Sequence, residues 1–318
     1  MPGRTRSPGA SRTPDFPPLI VIAGATATGK TGLSLRLAES IPGGEIISAD
    51  SRQVYRGMDI GTAKVSAADR LRVPHHGLDL VDPDELFTAA DWLATASAAL
   101  RDIHRRGGVA ILVGGTGLYL RTVARGVPLE ATGHDPETRA EIEQRLTDEG
   151  LPALVAELRE LAPGLAAQTD PSNPRRVVRA LERARIGGDV APPEPRGYPA
   201  RSVWLGLQLD PDVHRGWIAN RARAQFAAGL IDEAGSLRER FDQGLRAFSA
   251  IGYHEAFDVL DGRLTPDQAI ARNITRNNQF ARRQRTWFRS EPGINWLDAA
   301  ARTTDNEALR IVGQAIGR

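Results

Sequence analysis

The chain is organised around one run of residues, Leu19-Ile-Val-Ile-Ala-Gly-Ala-Thr-Ala-Thr-Gly-Lys-Thr31. Its first five residues are continuously apolar, which predicts a strand that is buried on both faces of a sheet. Its last eight, Gly24–Thr31, match the pattern G-x-x-x-x-G-K-[ST], in which backbone N–H groups and a helix N-terminus surround a phosphate. The residues after Thr31 have the composition of a helix that packs on a sheet. The run therefore predicts an α/β fold with a phosphate-binding loop at its centre.

Other apolar runs predict further strands of the same sheet, at residues 45–49, 109–113 and 203–209. Helical patterns lie between these runs, and such alternation is typical of a doubly wound parallel sheet. After residue 289 the pattern predicts only a short tail.

The middle of the chain has a different pattern, with polar helical stretches and no convincing strand between about residues 130 and 199. We therefore predict a small all-helical domain inserted into the core. The predicted segments are a disordered tail at 1–17, the first part of the core at 18–130, the inserted domain at 131–199, and a mostly helical second part of the core at 200–318.

The composition excludes several kinds of chemistry. The 318 residues contain no cysteine, which excludes disulfides, thiolate zinc sites and cysteine nucleophiles. No apolar run approaches the roughly 18 residues that span a bilayer, and the N-terminal tail lacks the apolar segment of a signal peptide. We therefore expect a cytoplasmic protein without a membrane partner. We also expect a monomer, although no feature of the sequence determines the oligomeric state.

Cations are distributed unevenly, although the formal net charge is only +2. Only two of the 41 basic residues are lysines, Lys30 and Lys64, and all the others are arginines. A position that has lysine in such a chain indicates a site that needs a compact ammonium. The arginines form two clusters, whose members are Arg175, Arg176, Arg179, Arg183 and Arg185 in the first and Arg272, Arg276, Arg282, Arg283, Arg285 and Arg289 in the second. Such segregation is more informative about a nucleic-acid partner than the total charge.

The phosphate-binding loop alone leaves the reaction open. Lys30 can reach a terminal phosphate and the Thr31 hydroxyl suits Mg²⁺, but ATPases, GTPases and small-molecule kinases share this arrangement. Asp50 follows the second predicted strand, so it could act as a general base, hold Mg²⁺ through water, or cap a turn. The strand at 109–113 runs into Gly114-Gly115 without an acidic residue, which argues against a motor-type ATPase. A small-molecule kinase with Asp50 as its base remains the alternative.

Seven blocks of sequence occur in an order that resembles one family. They are Gly24–Thr31, Asp50-Ser-Arg-Gln-Val-Tyr55, Gly57-Met-Asp-Ile-Gly-Thr-Ala-Lys64, Val73-Pro-His-His76, Gly114-Gly-Thr-Gly-Leu-Tyr119, Ile251-Gly-Tyr253 and Arg283-Gln-Arg-Thr-Trp-Phe-Arg289. With them the chain closely resembles bacterial tRNA dimethylallyltransferases, also called tRNA isopentenyltransferases, from about Leu19 to Trp296. It departs from the family pattern at Ala25, Thr28 and Trp217, where Pro, Ser and a basic residue are usual.

The resemblance implies a P-loop NTPase-like core and an inserted helical domain that grips the anticodon stem of tRNA. It implies transfer of a dimethylallyl group from dimethylallyl diphosphate to N6 of the adenine just 3′ of the anticodon. Asp50 would be the general base, with Thr31 and Arg221 at the leaving diphosphate and Mg²⁺ at Thr31. The diphosphate-binding residues would be Gly24, Ala25, Thr26, Ala27, Thr28, Gly29, Lys30 and Thr31. Whether ATP also binds this loop is open.

The resemblance also implies contacts to tRNA. Asp50, Ser51, Arg52, Gln53 and Thr116 would contact the extruded adenine and its neighbours. The other candidate tRNA contacts are Arg175, Arg176, Arg179, Gly252, Tyr253, Arg282, Arg283, Gln284, Arg285, Trp287 and Arg289. Arginines can hold phosphates and Trp287 can stack on an unpaired base, whereas the alternative is a solvated helix face with the aromatic ring in the core.

Adjacent histidines cannot easily face one metal ion, so we interpret His75 and His76 as structural. A non-catalytic RNA-binding module is the third possible class of function, and the nearly intact set of motifs argues against it.

Overall fold

The computed structural model of the chain describes residues 16–129, 135–191 and 193–317. Most of the tail predicted at 1–17 therefore lies outside the described residues. Its last two residues are packed, because the Phe16 ring meets the Tyr198 ring edge to face with 5.9 Å between centroids, and the Tyr198 hydroxyl donates to the Pro17 carbonyl. Phe16 and Pro17 thus belong to the folded core.

Within the described residues, six strands form one sheet. They are β1 (Leu19–Gly24), β2 (Gly44–Ser48), β3 (His75–His76), β4 (Val109–Gly114), β5 (Ser202–Gln208) and β6 (Ile294–Asp298). Their order is β3-β2-β4-β1-β5-β6, and every neighbouring pair is parallel. The predicted parallel α/β fold class is confirmed, and the loop that leaves β1 opens near the middle of the sheet edge.

Helices precede, follow and connect these strands. In the described ranges they are α1 (Lys30–Ser40), α2 (Ala67–Arg72), α3 (Ala89–Arg105), α4 (Gly117–Ala124), α5 (Pro136–Asp148), α6 (Leu151–Leu161), α7 (Pro163–Gln168), α8 (Pro174–Gly187), α9 (Pro211–Ala227), α10 (Leu230–Arg238), α11 (Tyr253–Leu260), α12 (Pro266–Arg289) and α13 (Thr304–Ile316). A 3₁₀ turn spans Arg246–Ser249. Capping boxes at Thr88 and Thr265 satisfy free N–H groups and define where α3 and α12 begin. No helix of the described chain is both long and apolar enough to cross a lipid bilayer.

The sheet is packed on both faces, and the residues of β1 alternate between the two sides. Leu19, Val21 and Ala23 belong to one apolar cluster and Ile20 and Ile22 to the other, and all five are fully buried. The first cluster includes side chains of α3, α4, α10 and α11, and the second includes side chains of α1 and α13. Burying one large aliphatic side chain contributes about 1.5–3 kcal/mol, so β1 gives its loop a firmly fixed starting point.

The chain folds as two compact units. One contains residues up to 126 and from 196 onward, and so includes the sheet with α1–α4 and α9–α13. The other, residues 127–195, contains α5–α8, whose apolar side chains form a separate core around Leu154, Leu158 and Leu181.

The end of the chain differs from the expected short tail, so that expectation is wrong. β6 pairs with β5 from Trp204 opposite Ile294 to Gln208 opposite Asp298, and α13 packs beside α1 on one face of the sheet. β6 reads Ile-Asn-Trp-Leu-Asp and is partly exposed at the sheet edge, so it lacks the continuous apolar run by which buried strands are recognised.

Candidate active site

The functional residues gather where three neighbouring strands end. The loop Gly24–Thr31 leaves β1, Asp50 follows β2 and Gly115 follows β4. Carboxyl ends of parallel strands meet at one edge of a sheet, which is where ligands of open α/β sheets bind. A cavity of about 110 Å³ opens at this edge. Its lining includes Thr26, Lys30, Thr31, Ser48, Asp50, Gln53, Arg221, Phe280 and Gln284.

The phosphate-binding loop has a backbone conformation that suits an anion. A Cβ at Gly24, where φ is +153°, would lie 2.8 Å from the Leu207 carbonyl oxygen, so only glycine fits. Ala27 has φ +58° and Gly29 has φ +82°, so the chain passes twice through the left-handed region before α1 begins at Lys30. Turns of this kind direct N–H groups toward one point and create a concave anion site.

Thr26 is held at three atoms by residues distant in sequence. Its N–H donates to Gln284 Oε1 at 2.8 Å, its hydroxyl accepts from Arg221 Nη1 at 2.9 Å, and its carbonyl oxygen lies 2.8 Å from His214 Nε2. Gln284 also donates to the Gly115 carbonyl at 3.0 Å, so one side chain of α12 joins the loop to the end of β4. The loop is therefore positioned by the protein itself.

Lys30 and Arg221 place two cations at the cavity. Lys30 Nζ donates to the Ala25 carbonyl at 2.6 Å. Burial, together with the charge of Arg221, lowers the pKa of Lys30 to about 7, while Asp50 acts in the opposite direction. Burial also lowers the pKa of the Arg221 guanidinium, again against the effect of Asp50. Two cations whose charged forms are disfavoured in this way indicate a site that is completed by an anionic ligand.

The two carboxylate oxygens of Asp50 differ in their hydrogen bonding within the described chain. Oδ1 accepts from the Arg52 N–H at 2.8 Å, so Asp50 does cap the turn after β2. Among the described residues, Oδ2 makes no hydrogen bond, and it can accept a proton from a ligand in the cavity. Both roles anticipated for Asp50, turn cap and cavity carboxylate, are therefore compatible in one side chain.

Thr31 is exposed in the first turn of α1, and in the described part of the chain its hydroxyl makes no hydrogen bond. No group of three or more His, Cys, Asp or Glu side chains that could hold a metal ion occurs among the described residues. A metal ion at Thr31 would therefore take most of its ligands from a bound anion and from water, as Mg²⁺ commonly does beside phosphates.

Three residues predicted to contact the extruded base already have protein partners, and of these Gln53 lines the cavity. The Ser51 N–H donates to Thr116 Oγ1 at 3.2 Å. Gln53 accepts from the Ser48 hydroxyl at 2.8 Å and donates to the Thr62 carbonyl at 3.2 Å. These bonds shape the turn after β2, and they leave Gln53 Oε1 able to accept one further hydrogen bond.

Arg52 joins this turn to the 3₁₀ segment. Its guanidinium donates to the Arg246 carbonyl at 2.9 Å and to the Ser249 hydroxyl at 2.7 Å. Burial lowers the pKa of Arg52, while Tyr55 acts in the opposite direction. A guanidinium with five N–H donors retains some for a ligand.

Part of the arginine-rich end of α12 faces inward. Gln284 holds the loop through the two bonds given above, and Arg285 Nη1 donates to His214 Nδ1 at 3.0 Å. Trp287 packs on Gly117, where an added Cβ would come within 2.5 Å of the indole, and Arg121 lies 4.4 Å above the same ring. The indole is thus sandwiched between protein groups, which favours the alternative that Trp287 belongs to the packing of the core.

The remaining predicted arginines, except Arg179, are exposed. On α12, Arg282, Arg283 and Arg289 form no ion pair among the described residues, and we call these three residues the basic face of α12. In the second unit, Arg175 and Arg176 are exposed on α8, whereas Arg179 donates to the buried Glu182 carboxylate at 2.7 Å. The exposed arginines are available to phosphates.

Gly252 and Tyr253 serve the core rather than a surface. Tyr253 is fully buried, and its hydroxyl donates to Glu233 Oε1 at 2.7 Å. The same carboxylate accepts the N–H groups of residues 59–61, at 3.0, 2.7 and 3.0 Å. Gly252, with φ +118°, donates its N–H to Glu255 at 2.9 Å at the start of α11. The predicted contact of Tyr253 with tRNA is therefore corrected, because its side chain has no exposed surface.

Lys64, the second lysine, is structural. Its side chain is only 1% exposed, and Nζ donates to the Tyr55 carbonyl, to Asp59 Oδ1 and to Asp79 Oδ1 at 2.5, 2.8 and 2.5 Å. Arg70 binds the other Asp79 oxygen at 2.5 Å. Three acceptors match the three donors of an ammonium, which a planar guanidinium could not satisfy in the same space.

Replacing Lys64 by methionine is expected to lower the free energy of unfolding by about 3 kcal/mol, since it leaves partly buried acceptors without their cation. Urea unfolding followed by circular dichroism measures this loss. Arg56→Met is the matched control, because the Arg56 ion pairs are about half exposed and are worth roughly 0–1 kcal/mol. Equal losses in the two variants would contradict a structural role for the Lys64 ammonium.

The adjacent histidines also have protein partners. His75 Nδ1 lies 2.7 Å from the Val73 carbonyl, and His76 Nε2 lies 2.8 Å from Glu45 Oε2, a carboxylate that also pairs with Arg106. These contacts agree with the interpretation of both histidines as structural.

Three residues at or near the site belong to none of the seven sequence blocks. They are His214, Glu233 and Phe280, which come from α9, α10 and α12. Phe280 lines the cavity one helical turn before Gln284. The i, i+4 spacing of these two residues was the available signal, because it places both on one face of a helix.

Comparison with known proteins agrees with this arrangement. The family model described as IPP transferase matches residues 53–291. The tRNA dimethylallyltransferase of Roseiflexus sp. (strain RS-1) is 45% identical over 304 residues, which are 94% of this chain and 99% of the relative. The relative of the same name from Anaeromyxobacter sp. (strain K) is 46% identical over 297 residues, covering 92% of this chain and 95% of the relative.

Solved structures lead to the same family. The full-length tRNA isopentenylpyrophosphate transferase from Bacillus halodurans has a TM-score of 0.70 at 39% identity, covering 94% of this chain and 95% of the other. A eukaryotic dimethylallyltransferase that acts on tRNA has a TM-score of 0.79 at 26% identity, covering 95% of this chain and 80% of the other. The family predicted from seven blocks of sequence is confirmed, and the chain belongs to the tRNA dimethylallyltransferases.

Proposed function

We propose that this enzyme transfers a dimethylallyl group from dimethylallyl diphosphate to N6 of the adenine immediately 3′ of the anticodon in tRNA. The observation that carries the proposal is that one cavity contains both the phosphate-binding loop with its two cations and the free oxygen of Asp50. A donor diphosphate needs the loop and its cations, and a nucleophile that must lose a proton needs the carboxylate oxygen. The compared relatives are named as transferases, which supports this function over a small-molecule kinase.

At the donor end, the proposed role of the loop is to bind the diphosphate. As the allylic C–O bond breaks, negative charge grows on the departing diphosphate, and Lys30, Arg221 and the loop N–H groups stabilise it. The Thr31 hydroxyl is exposed and makes no hydrogen bond among the described residues, so it would be the side chain that holds a Mg²⁺ ion beside the diphosphate. That ion, when bound, would further neutralise the leaving charge.

At the acceptor end, the adenine must leave the anticodon-loop stack to enter the cavity. Its N6 attacks the allylic carbon, the C–O bond to the diphosphate breaks, and the N6 proton passes to Asp50. Adenine N6 is a weak nucleophile whose proton becomes acidic only as the new bond forms, so a carboxylate is a sufficient base. Gly114 and Gly115 at the end of β4, together with Phe280, line the cavity where a planar base would enter.

The proposed function is tested by single-turnover transfer of labelled dimethylallyl from its diphosphate to unmodified tRNA, with Mg²⁺ and without ATP. Nuclease digestion then locates the label, which we expect on one adenine 3′ of the anticodon. Absence of label from every anticodon-loop adenine would exclude the proposal. ATP consumption that depends on a small hydroxylated acceptor would instead support the kinase.

The basic face of α12 is proposed to hold tRNA phosphates. Replacing Arg282 and Arg283 by glutamine is expected to weaken tRNA binding and to make it less dependent on salt. For each phosphate that an arginine no longer neutralises, the slope of log Kd against log salt concentration should fall by about 0.7–0.9. Fluorescence anisotropy across a KCl series measures both changes. Arg263→Gln is the control, because that exposed arginine is already paired with Asp258 and Asp261. An unchanged slope in the double variant would remove the basic face from the tRNA interface.

A further inference from the structure

His214 is a buried histidine that connects Arg285 of α12 to the phosphate-binding loop. It is 1% exposed, although it lies in the first turn of α9. One ring nitrogen, Nε2, lies 2.8 Å from the Thr26 carbonyl oxygen, and the other, Nδ1, lies 3.0 Å from Arg285 Nη1. The proposed transfer chemistry uses neither contact.

The two contacts define the protonation state of the ring. A guanidinium can only donate, so Nδ1 must be the unprotonated nitrogen that accepts from Arg285. Nε2 therefore carries the single proton and donates it to the Thr26 carbonyl. The neutral form is also favoured electrostatically: burial and the charges of Arg285 and Lys30 lower the pKa of His214, against the effect of the Thr26 carbonyl.

The Thr26 carbonyl is a sensitive point of the loop. The peptide between Thr26 and Ala27 is trans and planar, so turning the carbonyl toward His214 turns the Ala27 N–H in the opposite direction. Ala27 has φ +58°, a conformation that disfavours a residue with a Cβ and is kept only where its surroundings enforce it. Gln284 and Arg221 hold the amide and hydroxyl of Thr26, and His214 holds its carbonyl.

We propose that His214 is a positioning residue for donor binding: as the neutral tautomer selected by Arg285, it fixes the Thr26–Ala27 peptide and so maintains the amide arrangement that binds the diphosphate. The inference rests on the proposed role of the loop as the diphosphate site. His214 touches neither the reacting carbon nor the attacking adenine, so its loss acts only through the loop amides: mainly on donor affinity, and to a smaller extent on the leaving diphosphate.

The direct test uses inorganic pyrophosphate with Mg²⁺ as the probe, in isothermal titration of the full chain. His214→Phe keeps the size of the ring and removes both hydrogen bonds, so it is expected to weaken pyrophosphate binding about 5- to 100-fold, as for a buried carbonyl left without its donor. His214→Gln keeps a side-chain N–H donor for Thr26 and an oxygen for Arg285, and it is expected to restore most of the affinity. His254→Phe, at an exposed histidine of α11, is the control.

Transfer kinetics give the second measurement. For His214→Phe we expect the KM for dimethylallyl diphosphate to rise by a larger factor than kcat at saturating donor falls, because the loop amides bind the intact donor as well as the leaving diphosphate. If phenylalanine is not tolerated in folding, His214→Leu makes the same comparison with a smaller side chain. Pyrophosphate affinity within 2-fold of wild type in the apolar variant, or no recovery in His214→Gln, would overturn the inference. Failure of the wild-type protein to bind pyrophosphate would instead overturn the proposed diphosphate site.

Discussion

Asp50→Asn is expected to lower kcat for dimethylallyl transfer by roughly 10²-fold or more and to leave the Kd for tRNA nearly unchanged. The amide oxygen of asparagine can still accept from the Arg52 N–H, so the turn after β2 is kept. The substitution removes the carboxylate oxygen that we propose takes the N6 proton as the new C–N bond forms. Rapid-quench single-turnover kinetics at saturating donor and tRNA measure the chemical step alone.

Asp84→Asn is the matched control for this variant, because Asp84 is exposed on the loop before α3. It removes one negative charge from the same unit without touching the cavity, and its kcat should equal that of the wild type. Wild-type turnover in Asp50→Asn would remove Asp50 from the role of general base. Loss of tRNA binding in that variant would indicate that Asp50 acts by holding the acceptor.

The local parts of the site were predictable from the sequence because their signals are short. A buried strand, a glycine-rich turn and a helix start follow one another within Leu19–Thr31, and Asp50 follows the next strand directly. Parallel strands bring their carboxyl ends to one edge, so the pairing of the loop with Asp50 follows from the strand pattern alone. The buried strands β1, β2, β4 and β5 were predictable for the same reason.

The residues that hold the loop were not predictable in their roles, because their partners are far away in sequence. Gln284 bonds Thr26 across 258 positions, and Arg221 bonds it across 195. No periodicity within α9 or α12 reveals which distant backbone atom such a side chain meets. For Tyr253, the sequence motif suggested a contact that the structure does not allow. The motif predicted a surface contact with tRNA, whereas the Tyr253 ring is packed in the core.

Lys30→Met is expected to raise the Kd for pyrophosphate and the KM for dimethylallyl diphosphate by about 10²-fold or more, with tRNA affinity unchanged. The ammonium is one of two cations at the cavity that we propose bind the donor's diphosphate, and a thioether of similar length supplies no charge. Isothermal titration with pyrophosphate and anisotropy with tRNA separate the two affinities. A variant whose only defect is weaker tRNA binding would show that the loop does not hold the diphosphate.

The same variant should be more stable than the wild type, which distinguishes the removal of a ligand-binding group from damage to the fold. Folding lowers the pKa of Lys30 from 10.5 to about 7, so the folded state binds this proton less tightly than the unfolded chain does. The lowered pKa therefore destabilises the folded state by at most on the order of 5 kcal/mol. This destabilisation is fully present below pH 7 and decreases as the pH rises toward 10.5. The Ala25 carbonyl that loses its Lys30 donor keeps the Thr28 hydroxyl at 2.9 Å, which limits the opposing loss.

In urea unfolding of the ligand-free protein, the stability gain of Lys30→Met should therefore be largest at pH 6 and small at pH 10. Lys64→Met should change stability in the opposite direction at pH 6, because the Lys64 ammonium is neutralised by two carboxylates whereas Lys30 shares its surroundings with Arg221. Opposite signs of the stability change in these two equally conservative substitutions would show that Lys64 stabilises the fold. They would also show that Lys30 destabilises the fold and is kept because it binds an anion. A loss of stability in both variants would mean that Lys30, too, is a structural cation, and the assignment of the loop to the donor would then have to rest on its backbone alone.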